Sequence, residues 1–448
     1  MNDTASQPRD VPTARAAAPR ATAPGTVATG RHTTGRYTTA QATALYVGAV
    51  LGTGVITLPA MAAETAGPAS LVSWAALVAL SVPLAAAFAA LGARYPDAGG
   101  VSSYARIAFG DRLASVVGWC FFLAVPPGAA AAAFFGGSYV AEAFGGGSTT
   151  ATLTAAALML AVTCANAVGL RTTGRLQLAL AALLVTLLVA AVVLSLPHAR
   201  MANLQPFAPH GWAAIGPAAT LLVWSFAGWE AITHLAAELR RPARDLPRAT
   251  GAAVAVVGLL YLSVAFAVIA VLGSAAAETD APLGELMAVG VGGDARKLAA
   301  VAALLLTLGT MNAYYAAAAK LGAALGRDGS APAWLARGSG VGEVPRRGLA
   351  VVSGLALVSL ATVTAADVEV RPLVLMTTAS FVTVYAIGVA AALRLLPRGS
   401  GGRAAAGAAL LAVVALLLMS GAYLLWPLAV SGAALLYLRL RRARTMVG

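Results

Sequence analysis

Long runs of apolar residues, separated by short polar segments, follow one another from about residue 39 to residue 440. A helix needs about 20 apolar residues to cross a hydrocarbon core of roughly 30 Å. These runs are continuously apolar, whereas the strands of a membrane barrel would alternate apolar and polar residues, so the pattern predicts helices. The expected fold is an all-α polytopic membrane protein with twelve spans: 40–63, 68–92, 114–143, 151–169, 176–196, 213–238, 249–273, 297–325, 348–365, 371–396, 403–420 and 422–440.

The composition excludes several other classes of protein. The chain of 448 residues is 59% hydrophobic and only 10% charged, against about 25% charged residues in a soluble domain. The net charge of +13 does not indicate nucleic-acid binding, because the basic residues lie in loops between the apolar runs and not on one folded face. Cys120 and Cys164 lie within apolar runs, which gives neither a disulfide framework nor a metal signature. We expect no metal, no cofactor and no nucleic-acid partner.

The distribution of basic residues predicts the topology. An even number of spans puts both termini on one side, and cytoplasmic loops collect Lys and Arg. With the N-terminus inside, all but four of the 30 basic residues lie inside; the four are Arg200, Arg296, Lys297 and Arg371. We therefore expect a disordered cytoplasmic N-terminal tail (1–38), a single helical domain (39–440) and a basic cytoplasmic C-terminal tail (441–448). The basic loops are also suited to contact with anionic lipids.

The first span contains a feature that weakens a helix in its middle. Gly52 and Gly54 tolerate non-helical backbone, and Pro59 withholds an amide hydrogen. Close packing of small residues against a neighbouring helix is the alternative explanation. A second candidate interruption, Ser225 to Glu230, falls in the sixth span, at the corresponding position if the chain contains two repeats. Paired interruptions of this kind point to a transporter site near the middle of the membrane.

Glu230 lies well inside the sixth span, where a carboxylate is costly. One interpretation is a protonatable group that couples a proton to a conformational change, and the other is a buried carboxylate bonded by hydroxyls of a neighbouring helix. His234 and Glu238 follow at helical spacing but lack the pattern of a zinc protease, so we expect no metal there.

These motifs resemble those of the amino acid–polyamine–organocation (APC) superfamily of permeases. The first-helix glycine motif corresponds to Gly52–Ile56, the sixth-helix motif to Phe226–Glu230, and three loop motifs to Tyr95–Gly100, Glu238–Ala249 and Gly326–Gly329. Within the superfamily, the chain is most similar to the bacterial branch that exports methionine and branched-chain amino acids.

The resemblance implies a LeuT-like core of five plus five inverted repeats, about 40–196 and 213–396, with two extra helices at about 403–440. It also implies alternating access and a substrate site at the two interruptions. The substrate carboxylate would meet the backbone at Thr53 and Gly54, with Phe226 or Trp229 as an aromatic gate. The full set of expected substrate-binding residues is Gly52, Thr53, Gly54, Val55, Phe226, Ala227, Gly228, Trp229, Asn312 and Tyr315.

The fifth span, 176–196, has no lysine, so the lysine that some proton-coupled relatives use there is absent and Glu230 is the expected proton carrier. The polar residues of the eighth span are interpreted as bonds between helices in preference to a sodium site.

The expected function is secondary transport of neutral apolar L-amino acids (methionine, leucine, isoleucine, valine), with proton-driven export across a bacterial inner membrane by a monomer or homodimer. The alternative is a proton-coupled uptake permease of the same fold. An enzyme is not expected, because the spans lack a set of nucleophile and base.

Overall fold

The computed structural model describes residues 38–95, 100–169, 174–230, 239, 241–340 and 343–447. These residues lie within one unit, Gly35–Gly448. The predicted N-terminal tail up to residue 37, the loop residues 96–99, and His234 and Glu238 lie outside the described part of the chain.

The described residues form helices and contain no strand. In chain order the α-helices are α1 (Thr39–Val50), α2 (Gly54–Ala66), α3 (Ser70–Arg94), α4 (Gly100–Phe109), α5 (Asp111–Phe144), α6 (Gly147–Ala167), α7 (Gly174–Ser195), α8 (Ile215–Leu222), α9 (Pro242–Ala267), α10 (Pro282–Val291), α11 (Ala295–Arg327), α12 (Arg346–Ala365), α13 (Arg371–Leu395), α14 (Gly401–Met419) and α15 (Leu425–Val447).

Within these described ranges, ten segments are long and apolar enough to cross a membrane. The sequence predicted twelve spans, and the difference arises at the two interruptions. The first span is divided into α1 and α2, of 12 and 13 residues, and α2 continues through the turn Gly67–Ala69 into α3. The sixth span contributes the shorter apolar segment Trp212–Phe226. The all-helical membrane architecture is confirmed at the level of these ten segments.

Helix α5 passes through the centre of the bundle and packs against α6, α11, α12 and α13. It carries Pro126 and Pro127 in its middle, followed by a run of small residues. Small residues let helix backbones approach closely in a membrane. At Gly137, for example, an added Cβ would overlap the Ala151 carbonyl oxygen of α6. This close packing places the middle of α5 beside the interrupted helices.

Candidate functional site

The first interruption separates α1 from α2. Helix α1 ends at Val50, and Leu51 leaves the helical conformation with φ −71° and ψ 87°. The Gly52 amide then donates to the Val50 carbonyl at 2.8 Å, and α2 begins at Gly54. Thr53 precedes α2 without a side-chain capping bond. Since the first amides of a helix have no partner within the helix, the start of α2 presents donors and a partial positive charge.

The second interruption follows α8. A 3₁₀ turn covers Val223–Phe226, Ala227 is extended, and Gly228 has a φ of +116°. A Cβ on Gly228 would lie 2.7 Å from the carbonyl oxygen of Ala49 in α1. The position therefore requires glycine both for its backbone conformation and for its close approach to α1. The two interruptions are in direct contact.

Tyrosine hydroxyls bond to backbone carbonyl groups at and beside the interruptions. The Tyr261 hydroxyl of α9 lies 2.7 Å from the Ser225 carbonyl oxygen and 3.1 Å from that of Val50, so one side chain joins both interruptions. Tyr46 donates to the Trp229 carbonyl at 2.7 Å, and Tyr139 donates to that of Ile56. Non-helical backbone at membrane depth needs such partners, because hydrocarbon offers none.

A cavity, called here the central cavity, lies between the interruptions and the middle of α5. Gly52, Thr53 and Ala227 line it from the interrupted segments. Its other walls come from the small residues of α5, from Trp224, and from side chains of α11 and α13. All of the described residues that line it are uncharged, and those with polar side chains are Thr53, Trp224, Thr310, Tyr314 and Thr377.

A second and larger cavity, called here the vestibule, lies between α1, α7 and α11. Its walls include Ala44 near the start of α1, Gln177 near the start of α7 and Ala317 in the C-terminal half of α11. The vestibule therefore extends toward the face of the bundle at which α1 begins. It shares Ala49, Gly52, Thr310 and Tyr314 with the central cavity, so the two spaces adjoin.

Glu230 lines the vestibule at the end of the second interruption. Its Oε2 atom accepts hydrogen bonds from the Gly228 amide at 3.0 Å and from the Tyr385 hydroxyl at 2.6 Å. The Gly228 amide also donates to the Tyr385 hydroxyl oxygen at 3.0 Å. The carboxylate is thus held between the interrupted backbone and α13.

An ion pair lies at the opposite face of the bundle. Arg371, at the start of α13, contacts the Glu64 carboxylate near the end of α2 and donates to Thr65 Oγ1 at 3.0 Å. Glu369 lies 3.6 Å from the same guanidinium group. His210 contacts the Thr65 carbonyl at 3.1 Å. Helices α2 and α13 are therefore tied together at the end that lies away from the vestibule.

The structure brings together only some of the residues expected from the sequence. Gly52, Thr53 and Ala227 line the central cavity, and Gly228 and Glu230 line the vestibule. Gly54 begins α2, where an added Cβ would lie 2.5 Å from Trp224 Cδ1 and 2.6 Å from Ser225 Oγ. Gly54 is thus a close contact between the two interruptions, beside the cavity.

The aromatic residues expected to form a gate lie elsewhere. Phe226 is buried against Trp74 and Tyr261, and Trp229 is buried edge-on against Tyr46. Neither residue is part of the walls of the central cavity or the vestibule, and buried Val55 is not part of them either. Their packing fixes the backbone on each side of the interruptions.

Asn312 and Tyr315 are also placed away from both cavities. The Asn312 amide oxygen accepts a hydrogen bond from Asn166 of α6 at 2.7 Å, which agrees with the interpretation of polar residues as bonds between helices. The face of α11 that lines the cavities instead carries Thr310 and Tyr314, one helical turn apart. Substrate binding by Asn312 and Tyr315 stays a prediction, and Thr310 and Tyr314 are other polar residues of the same predicted span.

Several lining residues were missed in the sequence. Ala124, Gly128 and Ala132 recur at every fourth position on α5, and Thr377 and Phe381 do so on α13, with Tyr385 one turn further. Residues at this spacing share one helix face, so a polar or small stripe was the available signal. Such a stripe indicates that one face of the helix is packed, but it does not indicate which helix or cavity that face contacts.

These features define a helical membrane protein built around a cavity at two interrupted helices. Residues 37–445 match the family described as "Amino acid permease", and the chain belongs to this family of the APC superfamily.

Three relatives illustrate the range of the family. The chain is 31% identical over 397 residues to "Uncharacterized amino acid permease YecA" of Bacillus subtilis, covering 89% of this chain and 94% of the relative. It is 32% identical over 352 residues to "L-methionine/branched-chain amino acid exporter YjeH" of Escherichia coli, covering 78% and 83%. It is 23% identical over 240 residues to "Branched-chain amino acid permease BcaP" of Bacillus subtilis, covering 50% and 52%.

Proposed function

We propose that this amino acid permease is a secondary transporter of neutral apolar L-amino acids, namely methionine, leucine, isoleucine and valine, and that it exports them with the proton gradient. The observation that carries the proposal is the central cavity, which has uncharged walls and lies at the uncapped start of α2.

A zwitterionic ligand fits the polar groups at the interruptions. The free amides at the start of α2 are donors for an α-carboxylate, as at other helix N-termini that bind anions. Carbonyl groups of the non-helical backbone other than those of Val50 and Ser225, which Tyr261 contacts, are acceptors for an ammonium group. The side chain would lie against Gly128, Met311 and Phe381, which suits an apolar group and leaves a charged one without a partner.

The proposed architecture has twelve spans, in which two inverted repeats of five are followed by two further helices. The interruptions occupy the first helix of each repeat, and both termini lie in the cytoplasm of a bacterial cell. In this orientation the vestibule opens to the cytoplasm, while the Glu64–Arg371 pair closes the outer face. The structure then corresponds to an inward-facing state of an alternating-access cycle.

Glu230 is the proposed proton carrier, acting as part of an antiporter that moves a proton inward as an amino acid moves outward. It is the carboxylate in the described walls of the vestibule, and it bonds directly to the second interruption. Protonation removes the negative charge that the Gly228 amide faces and so changes the bonding of the interrupted backbone. A proton equilibrium is thereby connected to the segment that forms the substrate site.

Export is favoured over uptake by the similarity to YjeH, which is named as a methionine and branched-chain amino acid exporter and aligns over 78% of this chain. Uptake of the same substrates is the second candidate, and the similarity to BcaP, named as a permease, supports it over a shorter region. Both candidates use the same site and differ in the direction of net flux.

The experiment is a time course of free amino acids inside and outside cells that lack their own exporters, fed with dipeptides containing methionine or leucine. Export predicts lower internal and higher external methionine or leucine. Gly54→Ala, which places a methyl group against Trp224 and Ser225, is the inactive control. Gly251→Ala on α9, where an added Cβ meets no atom within 4 Å, is the active control.

Higher internal levels when free amino acids are supplied would establish uptake and overturn export. No change for any of the four amino acids, with the protein present in the membrane, would overturn the proposed substrate class.

A further inference from the structure

Tyr385 of α13 contacts both parts of the second interruption. Its hydroxyl donates to Glu230 Oε2 at 2.6 Å, and its oxygen accepts from the Gly228 amide at 3.0 Å. The ring is buried and packs against Phe88 of α3 and Phe381, which lies one turn earlier on α13. These aromatic contacts fix the ring, so the hydroxyl is held at the carboxylate.

Other ionisable groups face Glu230 from neighbouring helices. Tyr46 of α1 and Tyr314 of α11 lie close enough to interact with its charge. The Tyr46 hydroxyl is directed to the Trp229 carbonyl, and Tyr314 lines the two cavities. Helix α7 contributes the amide side chain of Gln177, which does not titrate, to the same vestibule. Among these groups, the hydroxyl of Tyr385 is the one placed to donate directly to the carboxylate.

We propose that Tyr385 is a positioning residue that stabilises the ionised form of Glu230 and so sets the pH at which transport responds to protons. The inference rests on the proposed role of Glu230 as the proton carrier. A hydroxyl that donates to a carboxylate favours its charged form. When Glu230 takes up a proton, the Tyr385 and Gly228 donors lose the negative charge they face.

The hydrogen bond between Tyr385 and Gly228 connects the protonation of Glu230 to the proposed substrate site. Gly228 lies against the Ala49 carbonyl of α1, and Ala49 lines both the central cavity and the vestibule. A change in the hydrogen bonds at the Gly228 amide therefore acts on backbone that contacts the first interruption. Tyr385 joins this backbone to α13, the helix that carries the ion pair of the opposite face at its other end.

The test is the pH profile of methionine or leucine exchange in proteoliposomes containing the full chain, measured for wild type, Tyr385→Phe, Tyr437→Phe and Glu230→Gln. Tyr385→Phe removes the donor, so Glu230 takes up its proton more readily and the midpoint of the profile moves to higher pH by about one unit. Tyr437→Phe is the control, because it removes a tyrosine hydroxyl on α15, outside both interruptions, and its midpoint stays at the wild-type value. Glu230→Gln has a flat profile.

A wild-type midpoint in Tyr385→Phe, together with a flat profile in Glu230→Gln, would overturn the role of Tyr385 and leave Glu230 as the carrier. An equal shift in Tyr437→Phe would also overturn it, since a general effect of losing a hydroxyl would then explain the data. Wild-type pH dependence in Glu230→Gln would overturn the proposed carrier itself.

Tyr385→Gln returns a donor in place of the hydroxyl and is expected to place the midpoint between those of wild type and Tyr385→Phe. If the phenylalanine variant does not reach the membrane, Tyr385→Leu replaces it in the comparison. A glutamine variant with a midpoint as high as that of the variant without a donor would contradict the proposal.

Discussion

The two helix interruptions differ in the chemistry that they expose. The first, between α1 and α2, is uncharged and presents the uncapped start of a helix to the central cavity. The second, after α8, carries the Glu230 carboxylate and faces the vestibule. A helix start suits the recognition of an anionic group, whereas a carboxylate suits the exchange of a proton. In the proposed function, binding and coupling therefore occupy separate but touching segments of backbone.

Specific contacts hold the two interruptions together. Gly228 lies against Ala49, and the Tyr261 hydroxyl reaches a carbonyl group on each side. Substitutions at these contacts are expected to separate the two interruptions and so to reduce transport as a whole. A substitution on one cavity wall is expected to alter substrate binding alone.

The largest effect is expected from Gly228→Ala. The new methyl group would meet the Ala49 carbonyl oxygen, and a φ of +116° is strongly disfavoured for alanine. We expect transport to fall at least tenfold, measured as flux per molecule of protein in the membrane. Gly251→Ala should keep wild-type flux. A Gly228→Ala protein with normal flux would show that the interruptions do not need their close contact.

A smaller effect is expected from Tyr261→Phe. The variant leaves the Val50 and Ser225 carbonyls without this donor, which costs about 1–3 kcal/mol for a buried polar group. We expect a lower midpoint of thermal unfolding in detergent and weaker substrate binding. Tyr437→Phe on α15, outside both interruptions, is the control. Equal unfolding midpoints for the two variants would argue against the role of Tyr261 as a link.

The smallest effect is expected from Gly52→Ala. An added Cβ at this position meets no atom within 4 Å, so it projects into open space on the cavity wall and leaves the fold intact. We expect unchanged unfolding and a KM that rises a few fold for leucine and methionine, and less for alanine. An equal rise for all three substrates would indicate that Gly52 does not limit the space for the side chain.

The sequence predicted the interruptions better than it predicted the walls around them. Glycine at 52, 54 and 228 has a local consequence for the backbone, which is visible without a structure. The direction in which Phe226, Trp229 and Asn312 point depends on residues that lie far away in the chain. Their respective partners are Trp74, Tyr46 and Asn166. The sequence alone therefore did not indicate that Phe226, Trp229 and Asn312 lie outside the walls of the two cavities.

The tyrosine contacts show a similar limit. Tyr261 and Tyr385 lie in apolar helices where a tyrosine is easily interpreted as packing. Their hydrogen bonds join positions 211 and 155 residues apart along the chain, and no periodicity within one helix specifies such a pairing. The apolar runs predicted the membrane helices because that pattern depends only on length and hydropathy.

The adjoining walls of the two cavities have a consequence for inhibitors. Ala49, Gly52, Thr310 and Tyr314 belong to both spaces, so a ligand in the central cavity lies next to the vestibule. An amino acid with a long, flexible extension on its side chain would place its head at the interruptions and its tail between α1, α7 and α11. Such a compound would occupy the space that these helices must close and would lock the transporter in one state. Its potency should grow with tail length until the tail reaches bulk water.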